Sequence, residues 1–322
     1  MSIVTEPVVG PDAPAPPRDQ PVARRPLKRR LASWRSRGGL AAIVFALPAV
    51  LVYLYFAWGP IVSGFVMSLQ STNLVSDPTW VGWENFAYVL SDPLLPQAVL
   101  NTVYFTVLAL LFGFPLPLFL AVAISELRRF RGLYSTLAYL PVVVPPVVAI
   151  LLWKTFYDPG ASGLFNQLLG SIGLGPWPWL NSTATAMPSI VLEATWAGAG
   201  STVIIYLAAL TSVNTDLYEA AELDGAGIWR RVWNITIPQL RGVILVMLLL
   251  QIIGTMQLFT EPYLFTGGGP ENATMTVLLV IFDYAFVQGD YGAATALSFL
   301  LALALGVVSY GYHLATRNWR SS

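Results

Sequence analysis

The chain has 322 residues, of which 56% are hydrophobic and only 11% charged, and its mean hydropathy is +0.64. This composition excludes an ordinary soluble domain and indicates a membrane protein. The net charge is zero, no cysteine is present, and His313 is the single histidine. This excludes disulfides, thiolate metal sites and a thiol nucleophile, and it leaves almost nothing for histidine-based catalysis. We therefore expect no catalytic residues, cofactor or metal site in this chain.

Residues 1–38 form a proline-rich polar tail that ends in a basic block. Such a sequence is unable to bury a hydrophobic core. We therefore expect a largely disordered cytoplasmic tail, followed by a transmembrane domain over residues 39–322.

Six apolar segments are long enough to cross about 30 Å of hydrocarbon. The third contains Pro141, Pro145 and Pro146, which must kink or break it because proline lacks the backbone N–H. A further apolar stretch, 277–286, is too short to span, so we expect it to lie along the outer surface or to dip into the bilayer. The predicted spans are 40–63, 98–126, 137–157, 190–213, 242–265 and 293–314.

The basic residues predict the orientation of the chain. Six crossings place both termini on one side, and 16 of the 17 lysines and arginines lie in the segments on that side, with Lys154 near the other. Basic residues are enriched in cytoplasmic segments. Both termini and the loop of residues 212–241 are therefore expected to face the cytoplasm.

The loop of residues 212–241 has its own helical pattern. Its first half is rich in helix formers with acids in the early turns, and Gly225 is suited to end that helix because glycine tolerates the left-handed conformation. Trp229 and Trp233 then share one side of a second short helix, which Pro238 is expected to end. Two helices joined at a glycine make a knob suited to a groove in another protein.

The spacing within this loop resembles the EAA motif of membrane subunits of binding-protein-dependent ABC importers. The family form is E-A-A, three residues, G, nine residues, then I-x-L-P, and this chain departs only at Ile237, which stands at the leucine position. The D-G-A variant common among carbohydrate-type importers is also present. The matching residues are Glu219, Ala220, Ala221, Asp224, Gly225, Ala226, Ile235 and Pro238.

The resemblance covers most of residues 40–316, including the string TGGGP at 266–270. It implies an all-α membrane protein with the six-helix type I ABC importer permease fold, in a bacterial inner membrane, whose EAA loop docks on a cytoplasmic ATPase. Arg230 and Arg231 would then pair with acids of the ATPase, or else form a basic edge facing lipid. The implied partners are two ATP-binding cassette ATPase subunits, a second related permease subunit and an extracytoplasmic sugar-binding protein; no nucleic acid is implied.

Polar side chains within the spans are candidates for the substrate pathway, because a charged group facing lipid costs about 2.5–3.5 kcal/mol on insertion scales. Amides, carboxylates and aromatic rings are also the groups that bind sugars. Small residues and amides are also common where transmembrane helices pack together, so helix packing is the alternative role for these candidates. The candidates are Glu193, Trp196, Gly198 and Ser201 in the fourth span, and Gln251 and Thr255 on one face of the fifth.

The resemblance to maltose-type permeases gives a partly different set of sugar contacts. On the fourth span it implies Ala194, Ala197, Gly198 and Ser201, and on the fifth again Gln251 and Thr255. The amide expected at Ala194 and the aromatic hydroxyl expected at Ser201 are absent here, so the same sugar and pose are not implied.

Three other functions remain open at this point. A secondary transporter driven by an ion gradient would show inverted repeats and buried acids, of which Glu193 and Glu261 are the only candidates. An ABC importer for glycerol phosphate would favour basic residues along the pathway, and spans four to six contain none. A membrane-embedded enzyme would require a catalytic cluster that one histidine does not supply.

Overall fold

The computed structural model describes residues 39–320 apart from 128 and 161, so the prediction for residues 1–38 lies outside the described residues. The described backbone is helical except for its loops and one antiparallel sheet, which pairs β1 (Gln70–Ser71) with β2 (Thr79–Trp80). The prediction of an all-α membrane protein is confirmed. The described residues divide into two units, one ending at Ile61 and the other beginning at Val62.

The described part of the first unit is apolar helix. Helix α1 (Gly39–Tyr53) passes through a π-helical turn (Leu54–Trp58) into α2 (Gly59–Ser68), whose later residues belong to the second unit. Its described side chains are almost all exposed. Lipid is the natural environment of a helix that is apolar all round and uncovered by protein.

The described part of the second unit contains the remaining helices and three π-helical turns. Such turns add one residue to a helix and appear here at Ala109–Gly113, Val232–Thr236 and Asp283–Val287. The helices are α3 (Glu84–Leu90), α4 (Leu95–Leu108), α5 (Pro115–Ser125), α6 (Arg131–Val143), α7 (Pro146–Phe156), α8 (Leu164–Gly170), α9 (Ala186–Leu210), α10 (Thr215–Leu223), α11 (Ile228–Arg231), α12 (Ile237–Thr255), α13 (Thr260–Thr266), α14 (Val277–Phe282) and α15 (Tyr291–Arg320).

Within residues 39–127, 129–160 and 162–320, five helices are long and apolar enough to cross a membrane, and α6 with α7 makes a sixth if that bent pair is one span. The bend between α6 and α7 is 95° and falls at Val144–Pro145. Proline disfavours helical geometry in the residue before it, which explains the break there. The predicted break is therefore confirmed at Pro145, whereas Pro141 lies inside α6.

The fifth span differs from its prediction at both ends. It runs from Ile228 through the π-helical turn to Thr255, rather than over 242–265, and α13 is a separate short helix. The prediction that Pro238 ends a short helix is wrong, because Pro238 lies in the first turn of α12. The π-helical turn before it shifts the hydrogen-bonding pattern, so the missing N–H of proline is tolerated.

The short apolar segment after α13 is buried. Val277, Leu279 and Tyr284 pack with Ala98 of α4 and Leu297 of α15 in one hydrophobic cluster. α14 and the start of its π-helical turn therefore belong to the protein core, whereas Phe286 and Val287 are exposed. The position of this segment relative to the membrane stays a prediction.

Close packing between α6 and α9 depends on a glycine. A Cβ atom at Gly200 would lie 2.3 Å from the carbonyl oxygen of Ala138. Only glycine allows the two backbones to approach this closely. The fourth span is thereby fixed against the broken third span.

Candidate functional site

The first helix of the loop 212–241 is capped at its start by its own sequence. The side chain of Asn214 accepts a hydrogen bond of 3.0 Å from the backbone N–H of Asp216. This satisfies one of the free N–H groups of the first turn of α10. In α10, Glu219 and Ala220 are exposed and Ala221 is half-buried, so one side of the helix is open to a partner.

The loop turns at Gly225, as predicted. Its φ is +73°, and the N–H groups of Gly225 and Ala226 donate to the carbonyls of Glu222 (3.0 Å) and Ala221 (2.9 Å). This pair of bonds is the Schellman arrangement that ends helices with a left-handed residue. It redirects the chain into α11 and so into the fifth span.

Three side chains connect the two arms of this loop to each other and to the second span. Arg231 is buried and donates through Nη1 to Glu222 of α10, and through Nη2 to Glu126 at the end of α5 at 3.2 Å. Arg231 therefore pairs within the chain, which corrects the expectation of an ATPase or lipid partner for this residue. Arg230 beside it is exposed.

The tip of the loop exposes large apolar side chains. Leu223 is 90% exposed, Trp229 is 68% exposed and Trp233 is 65% exposed, with Ile228 beside them. Grouped aromatic and aliphatic side chains on a polar segment are typical of a protein contact surface. We call Leu223, Ile228, Trp229 and Trp233 the apolar tip.

A cavity of about 290 Å³ lies between the second, fourth and fifth spans. Along α9 and α12 its residues recur at helical spacing, so one face of each helix forms a wall. The lining residues are Phe105, Ala109, Gly113 and Pro117 of the second span, Val191, Ala194, Thr195, Gly198, Ala199 and Thr202 of α9, and Met247, Leu250, Gln251, Gly254, Thr255 and Leu258 on or just after α12.

Three of the six predicted pathway residues line this cavity: Gly198, Gln251 and Thr255. The other three do not. Trp196 lies on another side of α9, where its ring packs 5.4 Å from that of Trp153, and Ser201 is exposed. The cavity also includes Ala194 but not Ala197 of the residues that the maltose-type resemblance implied.

Glu193 is buried in the protein but does not line the cavity. It is 2% exposed, and its Oε2 atom has no hydrogen-bond partner among the described residues. Glu193 lies outside the cavity, whereas Val191 and Ala194 on either side of it line the wall.

The cavity is polar without being charged. Its polar side chains are the hydroxyls of Thr195, Thr202 and Thr255 and the amide of Gln251, and none of the described residues that line it is ionisable. Hydroxyl and amide groups both donate and accept hydrogen bonds. Such a lining suits a neutral, hydroxyl-rich solute better than an ion.

Residues 113–319 match the family model described as binding-protein-dependent transport system inner membrane component. The chain belongs to this family. It is a multi-pass inner-membrane permease, and its solved relatives share the type I ABC importer permease fold.

Relatives and solved structures cover nearly the whole permease. It is 34% identical over 280 residues to the lactose transport system permease protein of Rhizobium radiobacter (85% of this chain, 93% of the relative). It is 31% identical over 271 residues to the arabinooligosaccharides transport system permease protein of Bacillus subtilis (84% and 86%). A bacterial alginate ABC transporter solved with its alginate-bound periplasmic protein contains a chain that matches with a TM-score of 0.76 and 26% identity (88% and 97%).

Sequence reasoning missed the wall of the permease cavity that the second span contributes. That wall has no polar side chain, and the search relied on polar groups inside spans. The available signal was the spacing of Ala109, Gly113 and Pro117, three small or helix-disturbing residues at intervals of four. Thr195 and Thr202, seven residues apart on α9, were a second unused signal.

Proposed function

We propose that this permease passes a neutral carbohydrate across the inner membrane as one subunit of an ATP-driven importer. The observation that carries the proposal is that one continuous helical segment, Ile228–Thr255, contains both the second arm of the EAA-like loop and one wall of the cavity. Relatives named for lactose and arabinooligosaccharide transport support the carbohydrate class.

The uncharged cavity lining favours a neutral sugar over glycerol phosphate. A phosphate group requires cationic or backbone N–H partners when it leaves water. The lining supplies threonine hydroxyls and the Gln251 amide instead. Gln251, Thr255 and Gly198 are therefore proposed to contact the passing sugar.

The proposed mechanism is alternating access. An extracytoplasmic binding protein delivers the sugar to this permease and a second, related permease subunit. Two ATPase subunits hydrolyse ATP on the cytoplasmic side, and each permease loop is held in a groove of one of them. In this chain the loop spans residues 212–241, and its proposed contact residues are Glu219, Ala220, Ala221, Asp224, Gly225, Ala226, Ile235 and Pro238.

The apolar tip fits this docking role. Leu223, Trp229 and Trp233 are too exposed to be stabilised by their own chain, and burial of such side chains against a partner provides about 1.5–3 kcal/mol each. In this arrangement both termini lie in the cytoplasm, with residues 1–38 preceding the transmembrane domain 39–322.

The test is reconstitution of the complex that copurifies with this chain into proteoliposomes. We expect uptake of a neutral sugar that requires the binding protein outside and ATP on the ATPase side, and that is unaffected by collapse of sodium and proton gradients. Uptake driven by an ion gradient without ATP would contradict the proposal and favour a secondary transporter.

A further inference from the structure

Arg231 lies where three parts of the protein meet. Its guanidinium binds Glu222 on α10 through Nη1 and Glu126 at the end of α5 through Nη2. The arginine side chain is 10% exposed, whereas those of Glu126 and Glu222 are 37% and 59% exposed. We call Arg231, Glu126 and Glu222 the Arg231 clasp.

We propose that the Arg231 clasp transmits movement of the loop to the second span, so that Arg231 and Glu126 are positioning residues for transport. This inference rests on the proposed function. It assigns a role to an ion pair between elements that lie 105 residues apart in sequence.

The geometry of the guanidinium supports a connecting role. A buried cation is retained only where acids or hydrogen bonds compensate it, and here one nitrogen serves each acid. Arginine is able to bridge two carboxylates because its donors form a rigid planar fork, while lysine presents a single nitrogen. The clasp therefore fixes α10, α11 and the end of α5 as one body.

Glu126 is joined to a wall of the cavity through the length of α5. It is the residue that follows α5, and its N–H donates to the carbonyl of Val122 at 3.2 Å. Pro117 in the first turn of α5 and Gly113 just before it both line the cavity. Force applied at Glu126 is thus delivered along α5 to that wall.

The loop then reaches two cavity walls by different routes. The fifth span is reached through the backbone, since α11 continues into α12. The second span is reached through the side chain of Arg231 and through apolar packing, since Ala121 and Ile124 of α5 lie in one cluster with Val203 of α9. Without the clasp, the second span would follow the loop through that packing alone.

The experiment measures coupling, as sugar imported per ATP hydrolysed, in the reconstituted complex. For Glu126→Gln we expect sugar uptake to fall by about five- to tenfold, which is within the usual range of coupling free energies between two sites. ATP hydrolysis and assembly with the ATPase should be retained. Folding is expected to persist because Arg231 keeps its ion pair with Glu222.

Arg129→Met is the matched control. Arg129 is exposed near the same end of α5 and forms no ion pair with any described residue, so normal coupling is expected.

A double-mutant cycle separates the clasp from unrelated effects. Arg231→Met and Glu126→Gln together should be no worse than Arg231→Met alone, because both remove the same contact. Arg231→Lys should keep the complex assembled yet restore coupling only in part. Additive losses in the double variant would overturn the inference.

A covalent bridge tests the same contact if Glu126→Gln lowers the amount of complex. The chain has no native cysteine, so Glu126→Cys with Arg231→Cys supplies its only thiols. Joining the two thiols with a bifunctional reagent should raise the amount of sugar imported per ATP above the value measured in the same sample before the reaction. Unchanged coupling would overturn the inference. Loss of ATP-driven uptake in the unaltered complex would instead contradict the proposed function, which keeps the two failures distinguishable.

Discussion

At the scale of single residues, Gln251 and Thr255 differ in what they offer a ligand. The Thr255 hydroxyl donates to the carbonyl of Gln251 at 2.8 Å, so mainly its acceptor capacity remains. The Gln251 amide has no hydrogen-bond partner within the part of the chain that the structure describes, and it lines the cavity. It therefore offers both donors and an acceptor to a hydroxyl-rich solute.

We expect Gln251→Leu to lower sugar uptake by about two- to tenfold, the usual worth of one neutral hydrogen bond. Leucine has a similar size, so assembly with the ATPase should be unchanged. The measurement is the initial uptake rate at low sugar concentration in proteoliposomes.

Gln257→Leu is the control for this substitution. The Gln257 amide donates to the carbonyl of Ile253 at 3.1 Å, and Gln257 does not line the cavity. Its uptake should stay normal. Equal uptake by the Gln251 variant and the unaltered chain would remove Gln251 from the pathway.

At the scale of elements, the turn between α10 and α11 depends on Gly225. With φ at +73°, a side chain at this position costs about 1–2 kcal/mol, and proline is incompatible because its φ is fixed near −65°. Gly227, two residues later, has φ −67° and open space around it. The two glycines therefore tolerate substitution very differently.

We expect Gly225→Pro to leave membrane insertion intact while abolishing ATP-dependent uptake, because α10 would no longer meet α11 at the same angle. Gly227→Ala should retain most uptake. Insertion is measured by the amount of protein in washed membranes, and uptake in the same vesicles. Normal uptake by Gly225→Pro would argue against a docking role for the loop.

The elements were predicted well where one local signal decides the structure. Gly225 and Pro145 break helices through their own backbone preferences, and both breaks are confirmed. The start of the fifth span at Ile228 was not predictable from hydropathy, because Arg230, Arg231 and Arg241 make that stretch polar. Its continuity past Pro238 depends on a π-helical turn, which no local sequence pattern predicts.

The cavity shows the same limit of sequence reasoning. Periodicity correctly grouped Gln251 and Thr255 on one face, and both line the cavity. It was unable to say which face of α9 meets the other spans, so Glu193 and Trp196 were grouped with Gly198. That choice depends on contacts such as the approach of Gly200 to Ala138, which involve residues far apart in sequence.

At the scale of the whole molecule, the distribution of lysine and arginine predicts which loops face the cytoplasm. Two serines are suited to test it, because each is exposed and each hydroxyl donates to a carbonyl three residues earlier at 2.7 Å: Ser171 to Leu168 and Ser212 to Ala209. Replacement by cysteine is nearly isosteric at both positions.

In right-side-out membrane vesicles, a membrane-impermeant maleimide should label Ser171→Cys directly and Ser212→Cys only after permeabilisation. The chain has no other thiol to interfere. Labelling of Ser212→Cys in sealed vesicles would reverse the predicted orientation and remove the loop from the reach of a cytoplasmic ATPase.

The helical segment Ile228–Thr255 contains 28 residues, and at 1.5 Å per residue it is about 42 Å long. If this segment tilts as a rigid rod by about 10° around its midpoint, its two ends move by about 4 Å in opposite directions. A displacement of Trp229 would then be accompanied by an opposite displacement of about three quarters that size at Gln251, which lies closer to the midpoint, without melting or forming any secondary structure.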